Sequence, residues 1–187
     1  MRRWFVLKGL LLTGSALAVG SASGGTALAC NPSVIVSGPG SSGGISNNGD
    51  IDCVVVKDHA VVNGDVTNEP GGTIGATGSP QQTGIAVHDA TINGAIVNRG
   101  VISTTGPAIS VTGKSAVTGG IQNDGDATVN GGSAAGNARG ISVTGASMTG
   151  GITNTGTIIV TSGKGRAVGI GVGGSSPSAT PPQEPQQ

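Results

Sequence analysis

The chain has 187 residues, enough for one ordinary domain or one elongated module with tails. Glycine supplies 37 of them, about three times the usual share, and Trp4 and Phe5 are the only aromatic residues, so residues 6–187 cannot build an aromatic platform for sugars or single-stranded nucleic acid. The formal charge of zero hides a division: Arg2, Arg3 and Lys8 lie in the first 29 residues, leaving six basic against nine acidic residues beyond them, a net −3 that suits nucleic acid poorly.

Residues 1–29 read as a signal peptide. Arg2 and Arg3 make a basic start, residues 10–20 are a short apolar run, and Ala27-Leu28-Ala29 is an A-x-A cleavage site. The run is too short for a membrane span, and no later segment reaches eighteen apolar residues. Arg2-Arg3-Trp4-Phe5-Val6 also resembles a twin-arginine signal, with an ordinary basic leader as the simpler reading. Cleavage after Ala29 makes Cys30 the first mature residue. A lipid there is disfavoured by Ala27 at the −3 position and by the polar stretch 21–26 before the cut. The only other cysteine is Cys53, and in an oxidising export compartment the default is a Cys30–Cys53 disulfide. Two free thiols, or a lipid on Cys30, are the alternatives. Two cysteines and two well-separated histidines are too few for a structural zinc site.

A repeat then runs from Val34 to Val172. The triplet (I/V)-x-V occurs as Val34-Ile35-Val36, Val54-Val55-Val56, Ile85-Ala86-Val87, Ile109-Ser110-Val111, Ile141-Ser142-Val143 and Ile170-Gly171-Val172. Two residues after each comes a turn residue: Gly38, Asp58, Asp89, Gly113, Gly145 and Gly174. Next stands G-x-(I/V), ending at Ile45, Val66, Ile96, Ile121 and Ile152, and two residues on is always Asn: Asn47, Asn68, Asn98, Asn123 and Asn154. A last apolar residue closes each unit, at Ile51, Ile74, Ile102, Ala127 and Ile158. The triplets advance by 20, 31, 24, 32 and 29 residues, and nearly all the variation falls in Gly/Ser/Thr-rich stretches such as 70–84 and 131–140, which read as loops. Residues 173–187, rich in Pro, Ser and Gln, read as a disordered tail.

Period-two apolar runs punctuated by Gly, Asn and Asp predict an all-β chain, and the repeat predicts a β-solenoid over residues 30–172, right-handed parallel β-helix-like, with about five to six irregular coils. One coil cannot bury its inward face alone, but stacked coils share an aliphatic core. Side-chain amides at the five equivalent Asn positions are expected to form a ladder along the axis. The units Gly94–Ile102, Gly119–Ala127 and Gly150–Ile158 resemble the repeats of bacterial autotransporter passengers and haemagglutinin-like adhesins. That resemblance implies a secreted β-helix and fixes no activity. The translocating barrel of such proteins has no counterpart before residue 187, so self-export by that route is not expected.

Asp58-His59 and His88-Asp89 have the composition of acid–base pairs. Their register assigns Asp58 and Asp89 to turns, with the histidines outside the core. Asn123-Asp124-Gly125-Asp126 faintly resembles a calcium loop but lacks the downstream bidentate Glu. No G-x-S-x-G elbow occurs, and Arg99, Arg139 and Arg166 read as scattered, so a catalytic site is not expected. No cofactor and no metal are expected either. The reading is a secreted, non-enzymatic structural or adhesive module at a bacterial cell surface or envelope, located on the surface, outside the cell or in the periplasm. An ice-binding or surface-recognising solenoid is the alternative, and a polysaccharide-active β-helix enzyme is weaker still. Self-association or a larger surface assembly is expected through the C-terminal end of the rod. A glycan or host surface is the other candidate partner, and nucleic acid is not one.

Overall fold

The computed structural model describes residues 33–75, 83–131 and 137–173. Among these every regular element is a strand, and the strands fall into successive coils. The first coil holds β1 (Ser33–Ser37), β2 (Ser41–Asn47) and β3 (Asp50–Ile51), and the second β4 (Cys53–Lys57), β5 (Val61–Asn68) and β6 (Thr73–Gly75). The third holds β7 (Ile85–His88), β8 (Thr91–Ile92), β9 (Ile96–Asn98) and β10 (Val101–Thr104). The fourth holds β11 (Ile109–Thr112), β12 (Ala116–Val117), β13 (Ile121–Asn123) and β14 (Asp126–Gly131). The fifth holds β15 (Ala138–Thr144), β16 (Ser147–Met148), β17 (Ile152–Asn154) and β18 (Thr157–Ser162), and β19 (Ala167–Gly173) follows.

Strands from successive coils pair in parallel and build three sheets, giving a β-solenoid. The first sheet has the order β1-β4-β7-β11-β15-β19 and the third β18-β14-β10-β6-β3. The second is formed by β2 and β5 with the paired short strands of the later coils. The five layers of the third sheet, β3 to β18, are joined by about four full turns, slightly fewer than the five to six coils expected, and β19 adds a strand to the first sheet only.

The register explains the repeat. Val34, Val54, Ile85, Ile109, Ile141 and Ile170 form one column of the first sheet, and the third residues of the triplets form another. Ile51, Ile74, Ile102, Ala127 and Ile158 form the column of the third sheet. Branched aliphatic residues stacked on themselves fill a narrow interior without aromatics, and in the middle coils they are almost wholly buried. Column ends at Val34, Ile51 and Ile158 are only partly covered, as an open-ended stack requires.

Three boundaries differ from the sequence reading. Thr73–Gly75 inside stretch 70–84 is strand β6, and residues 138–140 at the end of stretch 131–140 open β15. Both gain ladder hydrogen bonds from neighbouring coils, which overrides their loop-like composition. Gly173, assigned to the tail, is the last residue of β19 and pairs with Thr144. The signal peptide, Cys30 and residues 174–187 lie outside the described residues.

Candidate functional sites

The turns after β1, β4, β7, β11 and β15 of the first sheet each hold a left-handed residue. Gly38, Gly113 and Gly145 have φ of 89°, 69° and 70°, and Asp58 and Asp89 hold the same slot at 56° and 48°. Asp is among the few non-glycine residues that tolerate this region. His59 follows Asp58 with φ 66°, and the Ala60 amide donates to the Lys57 carbonyl at 3.2 Å. Two successive positive φ values closed by that bond give a turn of type I′ character, an arrangement the sequence reading did not foresee for His59.

Stacking brings both Asp–His pairs to one corner. Lys57 and His88 are register partners, the His59 amide donates to the Asp89 carbonyl at 2.7 Å, and Lys57 Nζ lies 3.1 Å from Asp58 Oδ2. His88 Nε2 is 3.2 Å from Asp89 Oδ2, and its Nδ1 is 3.0 Å from Thr112 Oγ1. Asp89 Oδ1 accepts from the Lys114 amide of the next coil at 2.7 Å. That hydrogen bond, helped by the charges of His88, His59 and Lys114, holds the Asp89 carboxyl below the ordinary aspartate range against the opposing effect of desolvation. The corner is open to solvent, with the His88 side chain 60% exposed. The His59 amide, the His88 ring and the Asp89 carboxylate join one turn to the next, whereas Asp58 pairs with Lys57 within its own coil.

The calcium-like segment is likewise committed to stacking. Asp124 Oδ1 accepts from Thr155 Oγ1 at 2.7 Å, and the Asp126 carbonyl accepts from Asn98 Nδ2 at 3.2 Å. A side chain on Gly125 would run into the Gly100 carbonyl below. Among the described residues no group of three or more His, Cys, Asp or Glu could hold a metal.

The five asparagines form one continuous chain of amide hydrogen bonds. Nδ2 of Asn47, Asn68, Asn98 and Asn123 donates to Oδ1 of the next member at 2.8, 2.9, 2.7 and 2.7 Å in turn. The same amide groups also donate to backbone carbonyls, within the coil as in Asn123 Nδ2 to Gly125 at 3.1 Å or in the next coil as in Asn98 Nδ2 to Asp126 at 3.2 Å. Asn68, Asn98 and Asn123 are fully buried and Asn154, at the end of the ladder, is exposed. A planar amide, with donor and acceptor on opposite sides, can repeat its bond once per layer without leaving either unsatisfied.

Two further features escaped the sequence reading. The strands β8, β12 and β16 supply buried Ile92 and Val117 and the partly buried Met148, but two residues are too few for alternation to show. The arginines are also not scattered alike. Arg99 sits 3.8 Å from Glu69, whereas Arg139 and Arg166, 27 residues apart, meet at one cavity because one coil separates them. The 29-residue step from Ile141 to Ile170 was the available signal. Cys53 is completely buried at the start of β4, and its expected partner Cys30 lies outside the described residues. No helix among the described residues is long and apolar enough to cross a membrane.

No known family model matches this chain, and no curated protein or solved structure is similar enough to match it.

Proposed function

We propose that this protein is an exported, non-enzymatic structural or adhesive module of a bacterial surface or envelope, with the solenoid serving as a stiff spacer and its outer faces as contact surfaces. The observation that carries this reading is the use of the polar residues. The Asn ladder, the His88–Asp89 pair and Asp124 all spend hydrogen-bonding groups on joining coils, and the His59 amide does the same, which favours a scaffold over a reaction centre. The leader-like residues 1–29, the A-x-A site and a Cys30–Cys53 bridge belong to the same reading. Similarity of the repeat units to autotransporter passengers supports it as well. Self-association of two copies through the C-terminal end is part of the proposal. There β19 is the last strand of the first sheet among the described residues, with Ile170 and Val172 41% and 68% exposed, and a strand edge of this kind recruits another strand.

The ice-binding alternative needs regular outward threonines. The outer rows of the third sheet run Thr73-Val101-Asp126-Thr157 and Gly75-Ser103-Thr128-Ile159, too mixed for such an array. The test is cell fractionation with immunomicroscopy, joined to an adhesion assay on a deletion strain. Protein retained in the cytoplasm, or adhesion unchanged by deletion, overturns the proposal.

A further inference from the structure

Charge is segregated along the rod. Residues 33–131 carry three basic and eight acidic residues, net −5, whereas residues 137–173 carry Arg139, Lys164 and Arg166 and no Asp or Glu, net +3. Arg139 and Arg166 border a cavity of about 150 Å³ completed by Asn137, Val168, Val172, Gly171 and Gly173. Neither guanidinium forms an ion pair among the described residues. Arg139 lies across the outer face, its Nη1 3.3 Å from Ser142 Oγ, and Arg166 is exposed.

The depression has a definite origin. The outward columns of the first sheet run Ser110-Ser142-Gly171 and Thr112-Thr144-Gly173, so hydroxyl-bearing residues give way to two glycines at the last strand. With no side chain at residues 171 and 173, backbone and guanidinium groups are open to a ligand from the same side. Hydroxyl groups leading to a pair of unpaired guanidiniums suit a polymer bearing carboxylate or sulfate groups, because guanidinium binds such oxyanions in a planar, two-pronged fashion. Residues 6–187 contain no Phe, Tyr or Trp, which removes the broad stacking surface that would grip a neutral sugar.

We propose that Arg139 and Arg166 form a binding site for the carboxylate or sulfate groups of an acidic polysaccharide, an inference that rests on the adhesive reading and names its ligand class. Affinity electrophoresis and calorimetry of the purified mature chain, against a polyuronate, a sulfated polysaccharide and a neutral glucan, test it. Wild type is expected to bind one or both anionic polymers and not the glucan, with binding lost as salt approaches 1 M, where screening reaches about 3 Å. Arg139→Gln and Arg166→Gln should each weaken binding about tenfold, while Arg99→Gln, whose guanidinium is already beside Glu69, leaves it unchanged. Gly171→Glu should abolish it, with unchanged circular dichroism showing that the fold is intact. The polymer that responds distinguishes carboxylate from sulfate. Equal losses for all three arginine variants, or retention of the glucan alone, overturns the site. Adhesion in cells carrying both Arg139→Gln and Arg166→Gln separates the two proposals. Wild-type adhesion by that double variant sinks the site and leaves the adhesive reading standing, whereas wild-type adhesion by the deletion strain sinks the adhesive reading.

Discussion

Replacing Asn98 by Ala interrupts the amide ladder at its centre. The truncation removes the bond from Asn68 Nδ2 at 2.9 Å, the bond to Asn123 Oδ1 at 2.7 Å and the bond to the Asp126 carbonyl at 3.2 Å. The two neighbours suffer unequally. Asn68 Nδ2 keeps the Gly72 and Val101 carbonyls, each at 3.2 Å, whereas Asn123 Oδ1 has no second donor among the described residues and is fully buried. The stranded buried acceptor costs about 1–3 kcal/mol with its own lost bond included, and the bond lost to the Asp126 carbonyl adds about 1 kcal/mol net, so the expected destabilisation is about 3 kcal/mol. The control is Asn93→Ala. Asn93 Nδ2 makes the same type of bond to Asn63 Oδ1, at 2.9 Å, but in solvent, and its loss should stay within about 0.5 kcal/mol. In urea unfolding followed by far-ultraviolet circular dichroism, the Asn98 variant should lose about 1–2 M in midpoint with an unchanged slope. Equal midpoints for the two variants would refute the argument that burial of the ladder makes it stabilising.

Gly125→Ala should destabilise by about 3 kcal/mol, because its methyl group meets the Gly100 carbonyl, while Gly49→Ala, facing open space, should change stability by less than about 0.5 kcal/mol in the same assay. Asp89→Asn tests the corner by its pH dependence. A carboxyl held below its ordinary value stabilises the fold fully above about 3.8 and loses that contribution as pH falls through the lower folded-state value. The thermal midpoints of wild type and variant should therefore differ at pH 7 and converge on strong acidification, and a constant gap would contradict the assignment. Non-reducing mass spectrometry of the exported chain should find Cys30 joined to Cys53, closing a loop of about 23 residues worth on the order of 3 kcal/mol, and two free thiols would exclude the bridge. Sedimentation across a concentration series should show dimers of the mature chain that Ile170→Lys with Val172→Lys abolishes, and a monomer at every concentration would remove self-association from the proposed function.

The repeat determined the solenoid before any coordinates. Alternating Ile and Val, a residue suited to positive φ two places after each triplet, and Asn at one fixed offset are each local constraints, and local constraints are written in neighbouring residues. The triplet columns, the Asp58 and Asp89 turns and the Asn positions were legible for that reason. The direction of the ladder was decided only when the register set Nδ2 of one layer against Oδ1 of the next. The paired left-handed backbone at Asp58 and His59, the short strands that bring in Ile92 and Val117, and the meeting of Arg139 with Arg166 were likewise fixed by stacking. Each depends on which residues lie one coil apart. That distance varies from 20 to 32 residues because insertions between strands change coil length without disturbing the column, so an aliphatic repeat announces the column while leaving the outer faces to be settled in three dimensions.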